Sequence, residues 1–310
     1  MNGYKDTAAL AEECEKQYRV LKGKREEQER LERERRQREK EERERREAEE
    51  RERIAPLWQN PAKAGERQVL SIKNVDYAFR WCPFGTFTMG SPASEAERYN
   101  GETQHKVALS RGFWLLETPV TQGMWESVMG ANPSHFKGSK NLPVDSVSWD
   151  DCQEFIKKLN GLNIAPSGFR FSLPTESQWE YACRAGTTTP FHFGGMLNGD
   201  KANCNGNHPY GTSTKGKYLE KTSEVDSYPS NAWGLLDMHG NVWEWCLDWY
   251  GGYPSGAVTD PMGAERGSYR VLRGGSWNFL AEYCRSASRH ADGPADRYDS
   301  VGLRLSLVFE

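Results

Sequence analysis

Hydrophobic positions along this chain fall into two unlike regimes. From Arg25 to Arg53 nearly every residue is Glu, Arg, Lys or Gln, with Leu31 and Ala48 the only apolar interruptions. Long unbranched side chains favour helix, and opposite charges three or four residues apart support one another on its surface. A helix from about Tyr4 to Glu52 is predicted. A coiled coil needs an apolar a/d seam, and past Leu31 there is none, so this stretch reads as an isolated charged spacer. About 45 residues at 1.5 Å each would reach on the order of 70 Å. One short seam, Leu10, Cys14, Tyr18 and Leu21, offers weak self-association through the N-terminal helix. Pro56, Pro61 and Gly65 are expected to end the helix and mark a linker, so residues 1–65 form arm and linker and 66–310 a single domain.

Beyond the linker, short apolar runs alternate with Gly, Pro, Asn and Asp. The clearest helical pattern begins at Ser148, whose hydroxyl can cap it. It places Cys152, Phe155, Ile156 and Leu159 on one face and stops at Gly161. A second helix follows Leu173-Pro174, with Thr175 and Gln178 spaced as a capping box. A weaker third runs from Thr121 to Met129. Short strands are expected at Phe84 to Met89, Phe113 to Leu116, Tyr269 to Arg273 and Leu303 to Phe309. Helices set apart from irregular strands predict an α+β fold rather than alternating βαβ units.

Composition narrows the function. The arm has too few apolar residues for a core, which leaves enough chain for one large, well-buried domain. A net charge of −3 and a pI near 6.2 argue against a nucleic-acid surface. The first residues carry neither a basic n-region nor an apolar h-region, and no run of about 18 apolar residues exists. No membrane association and a cytoplasmic, reducing address are therefore expected. The 7 cysteines are odd in number and lack CxxC spacing, so free buried thiols are favoured over a disulfide framework or a zinc site.

An ordered series of motifs now stands out. Thr86-Phe87-Thr88-Met89-Gly90-Ser91, Thr118-Pro119-Val120-Thr121, Leu142-Pro143-Val144, Leu173-Pro174-Thr175-Glu176, Gly240-Asn241-Val242-Trp243-Glu244-Trp245 and Arg273-Gly274-Gly275-Ser276-Trp277 follow one another. The series resembles the formylglycine-generating-enzyme (sulfatase-modifying factor) domain, a variant of the C-type lectin fold, from Tyr77 to Leu307. That resemblance implies an oxidase that converts a sulfatase cysteine to formylglycine, using copper held by two cysteines. Soft monovalent copper calls for thiolate ligands. Here the second cysteine falls on Cys284, but the position of the first, five residues earlier, is Phe279. The six histidines lie far apart, without HxxxH or HExxH spacing, so the iron-dependent branch of the fold is not matched either. The chain is therefore expected not to be an enzyme, and no cofactor is required. The resemblance does imply a structural calcium, for which Asn241 and Glu244 match the family's motif as hard oxygen donors. At a second family calcium site Asn203 matches, whereas Lys217 lies near the place of the expected acid.

The region 271–305 has its own frame: Arg-Gly-Gly-Ser-Trp, Cys-Arg-Ser-Ala, Arg289, Pro294, Arg297 and Val-Gly-Leu-Arg. Its gaps show no hydrophobic periodicity. This frame is similar to the variable proteins of diversity-generating retroelements, in which a reverse transcriptase randomises template adenines. Randomising both adenines of an AAY codon gives NNY, which cannot encode Met, Trp, Lys, Gln or Glu. The gap residues Asn278, Phe279, Leu280, Ser288, His290, Ala291, Asp292, Gly293, Asp296, Tyr298, Asp299 and Ser300 include none of these. Glu282 fails the test, and Tyr283 is left open. Side chains at loop tips on a rigid scaffold can be exchanged at little cost to a core. The expectation is a variable binding protein for an unknown protein or other macromolecular ligand, with Phe279, His290 and Tyr298 as aromatic anchors. Two alternatives stand beside it: a formylglycine-generating or related oxidase, and a non-catalytic scaffold acting through the arm.

Overall fold

The computed structural model describes residues 3–59 and 61–310, and within the arm it describes side chains at 7–46, 48, 49 and 57–59. The chain divides into two compact units, Met1–Ile54 and Ala55–Glu310. The arm is helical as predicted, forming α1, Gly3–Gln59. Ion pairs at i,i+4 spacing line it, among them Arg19–Glu15 at 2.6 Å and Arg36–Glu32 at 2.6 Å. Leu10, Tyr18 and Leu21 of the short seam stand exposed.

The predicted helix end near Glu52 is corrected, because the helix runs on through Pro56 to Gln59 and stops short of Pro61. Tertiary packing holds this last turn where composition alone predicts its end. Trp58 is buried, and its carbonyl accepts a hydrogen bond from Trp114 Nε1 at 2.9 Å. Its ring meets Trp114 and Phe79 edge-on, and Gln59 Nε2 donates to the Ser167 carbonyl.

The domain is α+β, as the pattern predicts. Its strands are β1 (Arg67–Ile72), β2 (Val75–Cys82), β3 (Gly85–Met89), β4 (His105–Leu109), β5 (Phe113–Leu116), β6 (Phe169–Ser172), β7 (Trp243–Trp249), β8 (Val258–Thr259), β9 (Arg270–Arg273), β10 (Arg289–Asp292), β11 (Val301–Leu303) and β12 (Ser306–Phe309). Three sheets result: an antiparallel β1-β2-β5-β12-β6, a mixed β10-β9-β7-β11, and a small β3-β4-β8. The β1–β2 hairpin turns at Lys73 and Asn74, both at positive φ, the conformation that matches the twist of two-residue hairpins.

All three predicted domain helices form at their predicted caps. These are α2 (Gln122–Met129) after Thr121, α3 (Trp149–Gly161) after Ser148 and α4 (Glu176–Arg184) after Thr175. The Thr175–Gln178 capping box is reciprocal, at 3.2 and 2.9 Å. The run Leu303 to Phe309, read as one strand, breaks at Arg304 into β11 and β12, which belong to different sheets. The cause is Arg304 itself: fully buried, its guanidinium reaches Glu244 and the carbonyls of Leu116, Glu117 and Leu236.

Candidate functional site

The frame residues of 271–305 are anchored by charge. Arg273 on β9 is fully buried between Glu180 and Glu176 of α4, and it also donates to the Ser288 carbonyl. Arg285 reaches Glu102 at 2.8 Å and Glu95 at 2.7 Å. Arg289 grips Glu176 with two bonds, at 2.6 and 2.8 Å. Arg304 holds Glu244 in the interior, and Arg297 holds Asp151 at the surface, at 2.7 and 2.8 Å. Bidentate guanidinium–carboxylate pairs set direction as well as distance, so each one pins a point of an otherwise irregular backbone. Gly275 completes the frame: at φ 76°, an added Cβ would lie 2.4 Å from Cys284 Sγ.

Between these anchors lie the gap residues. Phe279 packs its ring against Trp243 (5.4 Å, 87°) and Tyr283 (5.4 Å, 83°), with His290 6.0 Å away. His290 also lies over Trp243 at 5.3 Å, and its Nε2 is 3.5 Å from Asp292. Burial holds the Asp292 carboxyl above its usual range. Tyr298 is 48% exposed, and the charges of Asp292 and Asp296 raise its phenol. Asp296 Oδ2 accepts from the Gly293 amide at 2.9 Å. Phe279, His290, Asp292, Gly293, Asp296 and Tyr298 therefore share one stretch of surface. Leu280 and Ala291 beside them are half-buried. Asn278 takes the Ser276 hydroxyl on its Oδ1, and the half-buried Asp299 receives the Trp277 indole on its carbonyl.

Two expected gap residues do not reach this surface. Ser288 is wholly buried: its amide donates to Arg285 and its carbonyl accepts from Arg273, so it belongs to the frame. Ser300 is 5% exposed, and its carbonyl takes the Trp243 amide. A codon test reads residue type alone and cannot register burial. The structure also adds residues that sequence reasoning passed over. Trp243 is the buried floor beneath Phe279 and His290, and its Nε1 has no hydrogen-bond partner. Tyr99 stacks on Tyr283 at 5.8 Å and donates to Glu282 at 3.1 Å. Trp243 was visible in its motif, though not as a floor. Tyr99 lies in a loop far away in sequence, and no local pattern marks it.

The implied metals can be tested against the donors present. Both carboxylate oxygens of Glu244 are taken by Arg304, and Oε2 also accepts from Trp179 Nε1 at 2.7 Å. Asn241 turns its side chain to Ser223 and Asn203. The Glu244 carboxylate is thus committed to Arg304 and Trp179 and does not fit as the carboxylate ligand of the implied calcium. Copper fares similarly. Phe279 presents a ring at the position of the first cysteine, and Cys284 is buried in a cluster with Cys204, Phe191 and Tyr210. The neighbouring Cys204 thiol and burial push the Cys284 thiol well above its ordinary range. A ring and a disfavoured thiolate do not fit a two-thiolate copper site.

Comparison with known proteins places this geometry. Residues 76–307 match the model of the sulfatase-modifying factor enzyme 1-like domain. The formylglycine-generating enzyme of Streptomyces coelicolor is 32% identical over 231 residues, 69% of this chain and 70% of that protein. Among solved structures, Treponema denticola variable protein 1 superposes with a TM-score of 0.67 at 28% identity, covering 80% of this chain and 99% of that one. PvdO from Pseudomonas aeruginosa gives a TM-score of 0.66 at 27% identity, covering 79% and 98%. No described helix is long and apolar enough to cross a membrane.

Proposed function

The chain belongs to the sulfatase-modifying factor enzyme 1-like domain family, and from that premise we propose that it is a ligand-binding variable protein of a diversity-generating retroelement. It would display exchangeable side chains on a rigid lectin-like scaffold to bind macromolecular targets, with the charged arm as a spacer. The likeness to Treponema denticola variable protein 1 across most of both chains supports this reading. The observation that carries it is a division of labour within residues 271–305. Every frame arginine is tied to a carboxylate, whereas all the gap residues except Ser288 and Ser300 are partly or wholly exposed. The arginine–carboxylate pairs that anchor the frame include no gap side chain, so those side chains can change while the anchors stay. Phe279, His290 and Tyr298 provide aromatic area at low entropic cost.

The oxidase reading has the Streptomyces enzyme in its favour at the level of the family. Phe279 and the buried Cys284 weigh against it, since the chemistry needs two accessible thiolates. Sequencing the DNA that flanks the gene separates the two. A reverse transcriptase and a second copy of the codons for Val271 to Leu305, differing only at template adenines, are expected. Absence of any such copy, with identical terminal codons across many cells, would overturn the binding reading.

A further inference from the structure

Beside Arg289 of β10 the domain holds a cleft of about 420 Å³, lined by none of Phe279, His290 and Tyr298, that the proposed function does not use. Most of its wall comes from the segment 248–264, which closes over β4 and the start of α4. Met89, Trp249, Tyr253, Val258 and Met262 supply apolar and aromatic walls. The volume lies in the range of small-molecule sites, which are largely apolar with a few placed polar groups.

The polar groups divide into satisfied and unsatisfied ones. The Arg289 guanidinium is consumed by Glu176 and by the carbonyls of Gly101 and Gly251. Glu176 is consumed in turn by Arg289 and the Tyr253 hydroxyl. Asp248 is different. It is 3% exposed and lines the cleft, and its Oδ2 accepts the Glu176 amide at 2.8 Å. Its own backbone amide supplies a further bond, and among the described residues no side chain is hydrogen-bonded to this carboxylate. Gly263, at φ 75°, brings backbone so close that an added Cβ would lie 3.1 Å from Asp248 Oδ1. His105 rests its ring on Tyr253 at 4.6 Å, and its Nδ1 meets the Thr103 carbonyl at 3.1 Å. In the neutral ring that contact leaves Nε2 as a lone pair.

The ionised Asp248 carboxylate and the His105 Nε2 lone pair are thus acceptors, set among apolar walls. We propose that this cleft is a second binding site, for a small organic ligand carrying a protonated amine on an aromatic or aliphatic body, with Asp248 as its counter-ion and His105 as a second acceptor. An anion would face the charge of Glu176 and find no free cation, since the Arg289 guanidinium is already committed to that carboxylate. A neutral apolar molecule would fill the walls but bring no partner for the Asp248 carboxyl. Burial, and then the charge of Glu176, push the Asp248 carboxyl up to about 7, so an incoming ammonium would displace its proton near neutral pH.

The test is calorimetric titration of the full chain with three isosteric probes: phenethylamine, 2-phenylethanol and phenylacetate. Phenethylamine should bind with a Kd on the order of 1 mM, the range for a ligand of nine or so heavy atoms. The alcohol should bind about tenfold more weakly and the acid not at all. Asp248→Asn should weaken the amine at least about tenfold, because it removes the counter-ion. Met262→Trp, a change at a 58% exposed rim position that leaves the carboxyl intact, should block the cleft and also weaken it. Phe279→Ala should leave amine binding unchanged, which separates this site from the variable surface. No saturable amine binding, equal or tighter binding of phenylacetate, or an amine affinity that survives both Asp248→Asn and Met262→Trp would each overturn the proposal.

Discussion

Ser288 gives the sharpest test of how the C-terminal region is divided. Residue type alone assigns it to the exchangeable set, yet it is wholly buried between two arginine anchors. Its Oγ has no hydrogen-bond partner, so Ser288→Ala removes a buried polar group that gains nothing and should be neutral or slightly stabilising. Ser288→Tyr must instead force a ring into packed space beside Arg273 and Arg285. Overpacking of this kind costs about 1–3 kcal/mol, and more if the anchors separate. In a domain of this size roughly 2–4 °C of Tm corresponds to each kcal/mol, so a fall of about 2–12 °C is expected. Tyr298→Ser is the control: its side chain is 48% exposed, and a surface change stays within about 0.5 kcal/mol, or roughly 2 °C. Thermal unfolding of the three purified variants, followed by circular dichroism, reads all of this directly. The reasoning fails if Ser288→Tyr melts with the parent protein, or if Tyr298→Ser costs as much as a core change.

Other consequences can be measured alongside. Glu244→Gln leaves the buried Arg304 without its counter-charge, so a loss of about 3–5 kcal/mol is expected by denaturant titration. Millimolar calcium should leave the Tm of the parent protein unchanged; a rise that grows with calcium concentration would return Glu244 and Asn241 to a metal role. The parent chain supplied with copper and oxygen should not convert a Cys-x-Pro-x-Arg peptide, and formation of the aldehyde would revive the oxidase reading. The pH dependence carries two opposed signals. Burial, and then Glu176, raise Asp248 to about 7 from a usual 3.8, so the folded state binds the extra proton and stability falls as pH rises across that window. Asp248→Asn should therefore gain on the parent protein between pH 4 and 7, and a difference that stays flat would refute the assignment. Burial lowers His239 to about 3 and His192 to about 4, so these residues withdraw stability as pH falls below about 6.5.

Much of the local structure could be read because it is written in short-range chemistry. Thr121, Ser148 and Thr175 cap their helices because a side-chain oxygen within three residues of a free amide needs no distant partner. The motif series pointed to the fold through its resemblance to a family, which the match over residues 76–307 bears out. Two readings failed for the same kind of reason. Pro56 marks a helix end in composition, but Trp58 finds its partners in Trp114 and Phe79, which no nearby residue foretells. Leu303 to Phe309 has the pattern of one strand, but the carboxylate that Arg304 needs lies on β7 and splits it in two.

The candidate surface shows the same boundary. Spacing and codon logic pointed to Phe279, His290 and Tyr298, because both read residue type, which the sequence prints. Burial leaves no mark there, so Ser288 and Ser300 could be told apart from their neighbours only by what surrounds them. The Trp243 floor, the Tyr99–Tyr283 stack and the Asp248 cleft depend on contacts between segments far apart in the chain. Linear order settles helix caps and turn chemistry. Which gap residues face outward, and which carboxylates meet which arginines, is decided by packing, because a buried charge is stable only where the folded chain delivers its partner.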